Sequence, residues 1–332
     1  GWMEHRPDVW REYRASVARL IKTLGSDAAL LRRYTSAVDG QTGIDCFDAW
    51  IRELEQTGYL HNHARMWFAS IWIFTLRLPW QLGADLFLRQ LIDGDPASNT
   101  LSWRWVAGLH TKGKTYLASS ANIARYTDNR FNPENKLATS APPLRESRVF
   151  PLRELPLEQA LPASDSFGLL ITEEDSCPDS LALPLRPKSI VGAVATQHRS
   201  PLPVGSPAAE FAAGAVADAL RRATQHFAAD GQLAKTEDWA NLLLDWSEQH
   251  QLTTIVTAYA PVGPVAELLE ASRAHLQERG VQLIQLRRPY DSAIWPHAKR
   301  GYFRLKEKIP GLLQKLGLVA SDNLEDIHGE AI

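Results

Sequence analysis

The chain has 332 residues, room for two domains, and its 36 lysines and arginines against 38 aspartates and glutamates leave a net charge of −2. Near neutrality excludes a general polyanion binder, and two cysteines, Cys46 and Cys177, exclude a disulfide framework and a four-cysteine iron-sulfur cluster. The longest apolar run, MWFASIWIFTL (66 to 76), is too short to span a bilayer, so a cytoplasmic, soluble protein with no signal peptide and no membrane partner is expected, and a monomer with it.

Residues 1 to 140 show helical spacing, few β-branched runs and most of the eleven tryptophans. LHNHARMWFASIWIFTL (60 to 76) predicts one buried helix ending before Pro79, and burial of its Arg65 demands a carboxylate partner, for which Asp93 is the candidate. WQLGADLFLRQLIDGDP (80 to 96) predicts a second helix that delivers Asp93 and Asp95 to its end. SNTLSWRWVAG (98 to 108) predicts a third, capped by Ser98 or Asn99, with Trp103 and Trp105 inside it. Taken without a ligand, these residues are a structural ion network; taken together, they are one polar wall beside tryptophans. Residues 101 to 150 carry eight positive charges against three negative, a balance of +5 that suits a phosphate-contacting rim or a solvated loop.

A Pro-rich, charged stretch from 141 to 162 reads as a linker. After it, FGLLIT (167 to 172), SIVGAVA (189 to 195), TTIVTAYA (253 to 260) and VQLIQL (281 to 286) predict strands. They alternate with helical patterns at about 206 to 228, 236 to 250 and 263 to 279, which predicts a parallel α/β sheet over 163 to 332. Ligands of such sheets bind at the carboxyl ends of strands, here after Thr172, Ala195 and Ala260, although no phosphate-cradling glycine pattern is present. The expected fold class is therefore α + α/β, an all-helical domain followed by a parallel-sheet α/β domain.

The run His61-Asn62-His63-Ala64-Arg65-Met66, followed by Asp93-Gly94-Asp95 with Asn99, Trp103 and Trp105 behind it, resembles the flavin-binding domain of the DNA photolyase and cryptochrome family. GQTG (40 to 43), TGYLHN (57 to 62) and RFNP (130 to 133) resemble the same family's flanking motifs. The resemblance implies FAD as cofactor, contacted by Asn62, Arg65, Asp93, Gly94, Asp95 and Asn99. Asn99 would face flavin N5, and Arg65 would lock the aspartates. Trp103 and Trp80 would carry electrons, with the outer donor open among Tyr34, Trp72 and Trp50. Asn62, His63, Met66, Trp105 and Lys136 would face UV-damaged DNA, with His63 and Lys136 standing where the family's dimer enzymes usually have Arg and Gln.

Asn62 and Met66 favour cyclobutane dimers over (6-4) photoproducts. The second half resembles more weakly the family's α/β antenna domain, through ITEEDSCP (171 to 178), TAYAPVGPVAELL (257 to 269) and the stretch 291 to 313, with the domain order permuted and any antenna chromophore unidentified. An earlier helical part of such a domain is not visible before Gly1, so a truncated FAD-binding domain is expected. The implied activity is light-driven repair of pyrimidine dimers, a carbon-carbon lyase reaction. A cryptochrome-like blue-light photoreceptor is the alternative, and a remnant without flavin the third reading.

Overall fold

The computed structural model describes residues 1–161, 166–234 and 236–318. Pro162 at the end of the expected linker, and residues 163 to 165, 235 and 319 to 332 of the expected second domain, lie outside the described residues. The helices α1 (Pro7–Leu24), α2 (Ala28–Val38), α3 (Asp45–Thr57), α4 (Asn62–Ser70), α5 (Trp80–Gln90), α6 (Pro96–Val106) and α7 (Ser120–Tyr126) come first. Then follow β1 (Phe167–Ile171), β2 (Ile190–Gly192), α8 (Ser206–Phe227), β3 (Gly231–Leu233), α9 (Trp239–Gln249), β4 (Thr254–Ala258), α10 (Pro264–Glu278) and β5 (Gln282–Leu286), and the short helices α11 (Pro289–Ile294), α12 (Tyr302–Lys306) and α13 (Ile309–Lys315) close the described chain. A helical part followed by an α/β part is the fold class that the periodicities predict. The elements divide into two compact units that interleave along the chain: Trp10–Val149 with Val194–Ala215, and Gly1–Val9 with Phe150–Ala193 and the chain from Val216 onward.

The helical unit is built on aromatic packing. Phe47 stacks on Phe68 with ring centroids 4.2 Å apart, Trp50 stacks on Trp67 at 5.6 Å, and Ile51, Leu54 and Trp72 are buried around them. Each such side chain contributes roughly 1.5–3 kcal/mol on burial. The GQTG turn is fixed by Asp48, whose carboxylate accepts from the Thr42 amide at 3.0 Å, the Thr42 hydroxyl at 2.6 Å and the Gly43 amide at 3.0 Å.

The predicted single helix over 60 to 76 is instead α4 followed by one wide turn, Ile71–Thr75, closed by the Leu76 amide on the Ile71 carbonyl at 2.9 Å. Ile71, Trp72, Ile73 and Phe74 are all buried there, and Pro79 forbids continuation a few residues later. The cap of α6 also differs from expectation. Asp95, not Ser98 or Asn99, is the N-cap: its Oδ1 accepts from the Ser98 amide at 2.5 Å, and Pro96, which has no amide hydrogen to satisfy, takes the first helical position. The change matters because it puts the Asn99 side chain inside the helix, on one face with Trp103.

In the α/β unit the sheet is wholly parallel, in the order β3-β2-β1-β4-β5. β1 and β4 are buried throughout, which accounts for the continuous apolar run of β1 and for the lack of apolar–polar alternation in the β-branched Thr-Ile-Val-Thr of β4. Gly168 in β1 is required by close packing: a Cβ there would stand 2.4 Å from the Trp246 ring and 2.5 Å from Leu252 Cδ1. The edge strand β3 was not expected, because Gly-Gln-Leu is short and exposed and carries no hydrophobic pattern.

The strand ends of this unit are tied by its own side chains. Arg288, after β5, takes both oxygens of Asp175, after β1, at 2.6 and 2.8 Å. Glu4 accepts from the Tyr259 hydroxyl and the Val262 amide, both at 2.7 Å, beyond β4. Among the described residues no helix is long and apolar enough to cross a membrane.

Candidate functional site

In the helical unit, α4, the end of α5 and α6 surround a cleft of about 430 Å³, within the size range of small-molecule sites, roughly 300–1,000 Å³. Helical periodicity selects its lining. Asn62, Arg65, Met66 and Ala69 come from one face of α4, Phe87 and Leu91 from α5 and its end, and Asp95, Ser98, Asn99, Ser102, Trp103 and Val106 from α6 and its cap. Asp93, Gly94, Leu101, Trp105 and His110 complete it. The structure thus brings Asn62, Arg65, Met66, Asp93, Gly94, Asp95, Asn99, Trp103 and Trp105 to one place.

At the mouth, Arg65 Nη2 donates to Asp93 Oδ2 at 3.0 Å while its Nε donates to the Leu60 carbonyl at 2.8 Å. The partners are those the sequence suggests, but the setting is not the core: the side chains are 23% and 54% exposed, so the pair contributes little stability, about 1 kcal/mol or less. It positions Asp93 instead. Deeper in, Asn99 is buried and its Nδ2 donates to the Ala84 carbonyl at 2.7 Å. That bond assigns the amide orientation, because only the NH₂ can serve a carbonyl, and it leaves Oδ1 as the side chain's acceptor.

Trp103 is 2% exposed and packs edge-on to Phe87 at 5.2 Å and to Trp72 at 6.3 Å. Trp72 in turn meets Tyr34 at 6.1 Å. Trp105, 38% exposed, stacks on Tyr116 at 5.8 Å and offers an aromatic surface at the cleft. Three sequence candidates do not line the cleft. Trp80 is buried against Tyr13 at 5.9 Å, under the Arg104 guanidinium. His63 falls on another face of α4, one residue off the 62, 65, 66, 69 stripe, and packs against His61, Trp67 and Tyr126. Lys136 donates to the Gly43 carbonyl at 2.8 Å and pairs with Asp45 at 3.6 Å.

The basic stretch is similarly engaged in part: Arg104 is buried and bidentate on Glu146 at 2.9 and 2.7 Å, and Arg148 pairs with Glu12. Lys112, Lys114, Arg125, Arg130 and Arg145 remain exposed. The lining residues beyond the candidates, Ala69, Phe87, Leu91, Ser98, Leu101, Ser102 and Val106, lie on helices or their ends at helical spacing; His110, in the turn after α6, carries no such signal.

On the other face of α5, Asp85 is 1% exposed and accepts from the Ser200 hydroxyl at 2.9 Å, with Arg89 Nε at 3.5 Å. Burial pushes its carboxyl up to about 6, against the opposing pull of Ser200, Arg89 and Arg14. Burial likewise raises the Cys46 thiol to about 12, which makes it a core residue and no nucleophile.

The donor set of the cleft fits a flavin: carboxylates for imide and hydroxyl donors, an amide oxygen, and aromatic and aliphatic walls for a flat ring. Comparison with known proteins agrees. The family described as the FAD binding domain of DNA photolyase matches residues 1–137, which contain every residue of the cleft. A protein of Streptomyces griseus named deoxyribodipyrimidine photo-lyase is 43% identical over 113 residues, 33% of this chain and 21% of the relative. Proteins of the same name from Escherichia coli and Thermus thermophilus are 41% identical over 78 residues and 40% over 110, covering 24% and 33% of this chain and 16% and 25% of the relatives. The matched part of the chain spans about one fifth of the length of these curated relatives. No solved structure matches it. The first 137 residues are thus similar to the FAD-binding domain of DNA photolyases, and this similarity covers the whole of the cleft.

Proposed function

We propose that this chain is part of a light-driven lyase that repairs cyclobutane pyrimidine dimers in UV-damaged DNA, with FAD held in the α4–α5–α6 cleft, acting as a cytoplasmic monomer. The observation that carries the reading is the convergence of Asn62, Arg65, Asp93, Asp95, Asn99 and Trp105 on one cleft from three helices. When bound, FAD supplies the redox chemistry, and the protein's part is to hold, tune and shield it. Asp93 and Asp95 would accept hydrogen bonds from its polar edges, with Gly94 between them, while Arg65 holds Asp93 at the mouth. Asn99, its NH₂ committed to Ala84, would offer Oδ1 to flavin N5. Asn62, Met66 and the exposed face of Trp105 receive two linked bases taken out of the stack, Trp105 by stacking.

By the family resemblance, Trp103 would pass electrons toward a bound flavin. Trp80 would be its partner by the same resemblance, and the outer donor stays open among Tyr34, Trp72 and Trp50, of which Trp72 is in ring contact with Trp103 and with Tyr34. The exposed Lys112, Lys114, Arg125, Arg130 and Arg145 would contact phosphates. In the α/β unit, the carboxyl ends of β1 and β4 are the place for an antenna chromophore, although their charged groups already satisfy one another.

A second reading, a blue-light photoreceptor without repair, is favoured by one feature: His63 and Lys136, two expected DNA contacts, are engaged elsewhere. Both are tested by illuminating the flavin-loaded protein with dimer-containing DNA and following dimer loss. Repair supports the first reading; bound flavin with unchanged dimers supports the second; failure of the protein to bind flavin overturns both.

A further inference from the structure

The segment 194–215 follows β2 in sequence yet belongs to the same compact unit as the cleft. It runs along α5 on the side away from the cleft. Ser200 donates to Asp85 at 2.9 Å, Arg89 Nη1 donates to the Pro203 carbonyl at 3.0 Å, and the Gly205 amide donates to the Arg89 carbonyl at 2.9 Å. Asp85 and Arg89 are two positions off Phe87 and Leu91, which line the cleft, so α5 carries the strap on one face and the ligand wall on the other.

Arg199 occupies the critical point of this strap. Only 8% exposed, it reaches past the last turn of α5 and its Nη1 donates to the Leu91 carbonyl at 3.1 Å and to the Leu88 carbonyl at 3.5 Å. These carbonyls have no partner in the helix ladder, and a cation is favoured at this negative end. The Leu91 carbonyl also accepts from the Gly94 amide at 3.1 Å. Gly94 is pressed onto the same groups: a Cβ there would stand 2.7 Å from the Leu88 carbonyl oxygen, 2.9 Å from Arg199 Nη1 and 3.0 Å from the Leu91 carbonyl oxygen. The turn that carries Asp93 and Asp95 into the cleft is therefore seated on a guanidinium that comes from more than 100 residues further along the chain.

We infer that Arg199 is a positioning residue for the cleft. By fixing the end of α5 from behind, it sets where Asp93 and Asp95 stand toward a bound cofactor. The inference rests on the flavin reading for the identity of that cofactor, but not for the lock itself. The test compares wild type, Arg199→Met and Arg199→Lys by amide hydrogen exchange of the ligand-free protein and by titration with FAD. In Arg199→Met, exchange at Gly94 and Asp95 is expected to accelerate about tenfold or more while amides of α2 and α3 stay unchanged, as loss of a charge-assisted bond to a helix end implies. FAD affinity is expected to fall by a similar factor, with Arg199→Lys recovering part of both, because Lys restores the charge and not the fork.

Unchanged exchange at Gly94 and Asp95, acceleration everywhere in the unit, or local loosening with undiminished FAD affinity would each overturn the positioning role. If the wild-type protein binds no FAD, the flavin reading fails, and the exchange pattern alone decides whether Arg199 locks the turn.

Discussion

The helical unit and the α/β unit both place charged residues where a ligand could bind, but they use them in opposite ways. At the strand ends Arg288 closes on both oxygens of Asp175, and Glu4 is consumed by Tyr259 and the Val262 amide. At the helical cleft Arg65 takes one oxygen of a half-exposed Asp93, Asp95 stays exposed on the wall, and Asn99 keeps Oδ1 as an acceptor. Polar groups that satisfy one another hold a fold, whereas polar groups held in place with capacity left over can hold a ligand. Fold resemblance alone would point to the strand ends; the hydrogen-bond inventory points to the cleft.

This contrast can be broken in several places. The largest expected effect is that of Trp103→Ala, which removes a buried ring from between Phe87 and Trp72 and should cost about 3–5 kcal/mol in denaturant unfolding. A loss below about 1 kcal/mol would mean that the floor of the cleft is not packed as described. Next is the pH dependence set by Asp85. Its folded carboxyl lies near 6, above the unfolded value of about 4, so the unfolded chain releases the proton first as pH rises. Stability from this group is full below pH 4, declines between pH 4 and 6, and is lower by roughly 3 kcal/mol above pH 6. Urea midpoints across that window should fall more steeply in the wild type than in Asp85→Asn; parallel curves would remove the assignment.

Arg288→Ala sharpens the comparison from the other side. It should destabilise the protein by about 1–3 kcal/mol, since it strands a partly buried Asp175, yet leave FAD affinity unchanged. Weakened FAD binding in this variant would contradict the division of roles. The smallest effects concern DNA. Trp105→Ala should weaken binding of dimer-containing DNA by about 1–3 kcal/mol through lost stacking, with FAD retained. Lys136→Ala, by contrast, should change it by no more than about 0.5 kcal/mol, as its ammonium is engaged with Asp45 and Gly43. Binding isotherms measure both, and a larger effect for Lys136 would return it to the DNA surface.

Much of the cleft was legible because its residues repeat at helical spacing: Asn62, Arg65 and Met66 on α4, and Asp95, Asn99 and Trp103 on α6, share faces that the sequence already implies. The pairing of Arg65 with Asp93 was legible too, though its exposure was not, since the sequence does not say which turn of a helix lies at a cleft mouth. Other features left no trace in local pattern. The wide turn at Ile71–Thr75 looks like ordinary helix, whereas Asp95 before Pro96 is a cap signal that the Ser98 or Asn99 expectation overlooks. β3 has too few apolar residues to register. His63, which the motif puts among the DNA contacts, sits one residue off the cleft-lining stripe of α4 and packs against Trp67 and Tyr126, a placement that helical periodicity alone gives. Arg199 was invisible for a different reason, because its role depends on a contact between segments far apart in the chain, which no window of sequence contains.

The central claim is that the α4–α5–α6 cleft holds FAD through the carboxylates of Asp93 and Asp95. Its most direct test is the visible absorption of the protein after equilibration with excess FAD and gel filtration, for the wild type and for Asp93→Ala combined with Asp95→Ala. A flavin cleft predicts near-stoichiometric bound flavin in the wild type and almost none in the double variant. Wild-type protein that emerges without flavin, or a double variant that retains as much as the wild type, would contradict it.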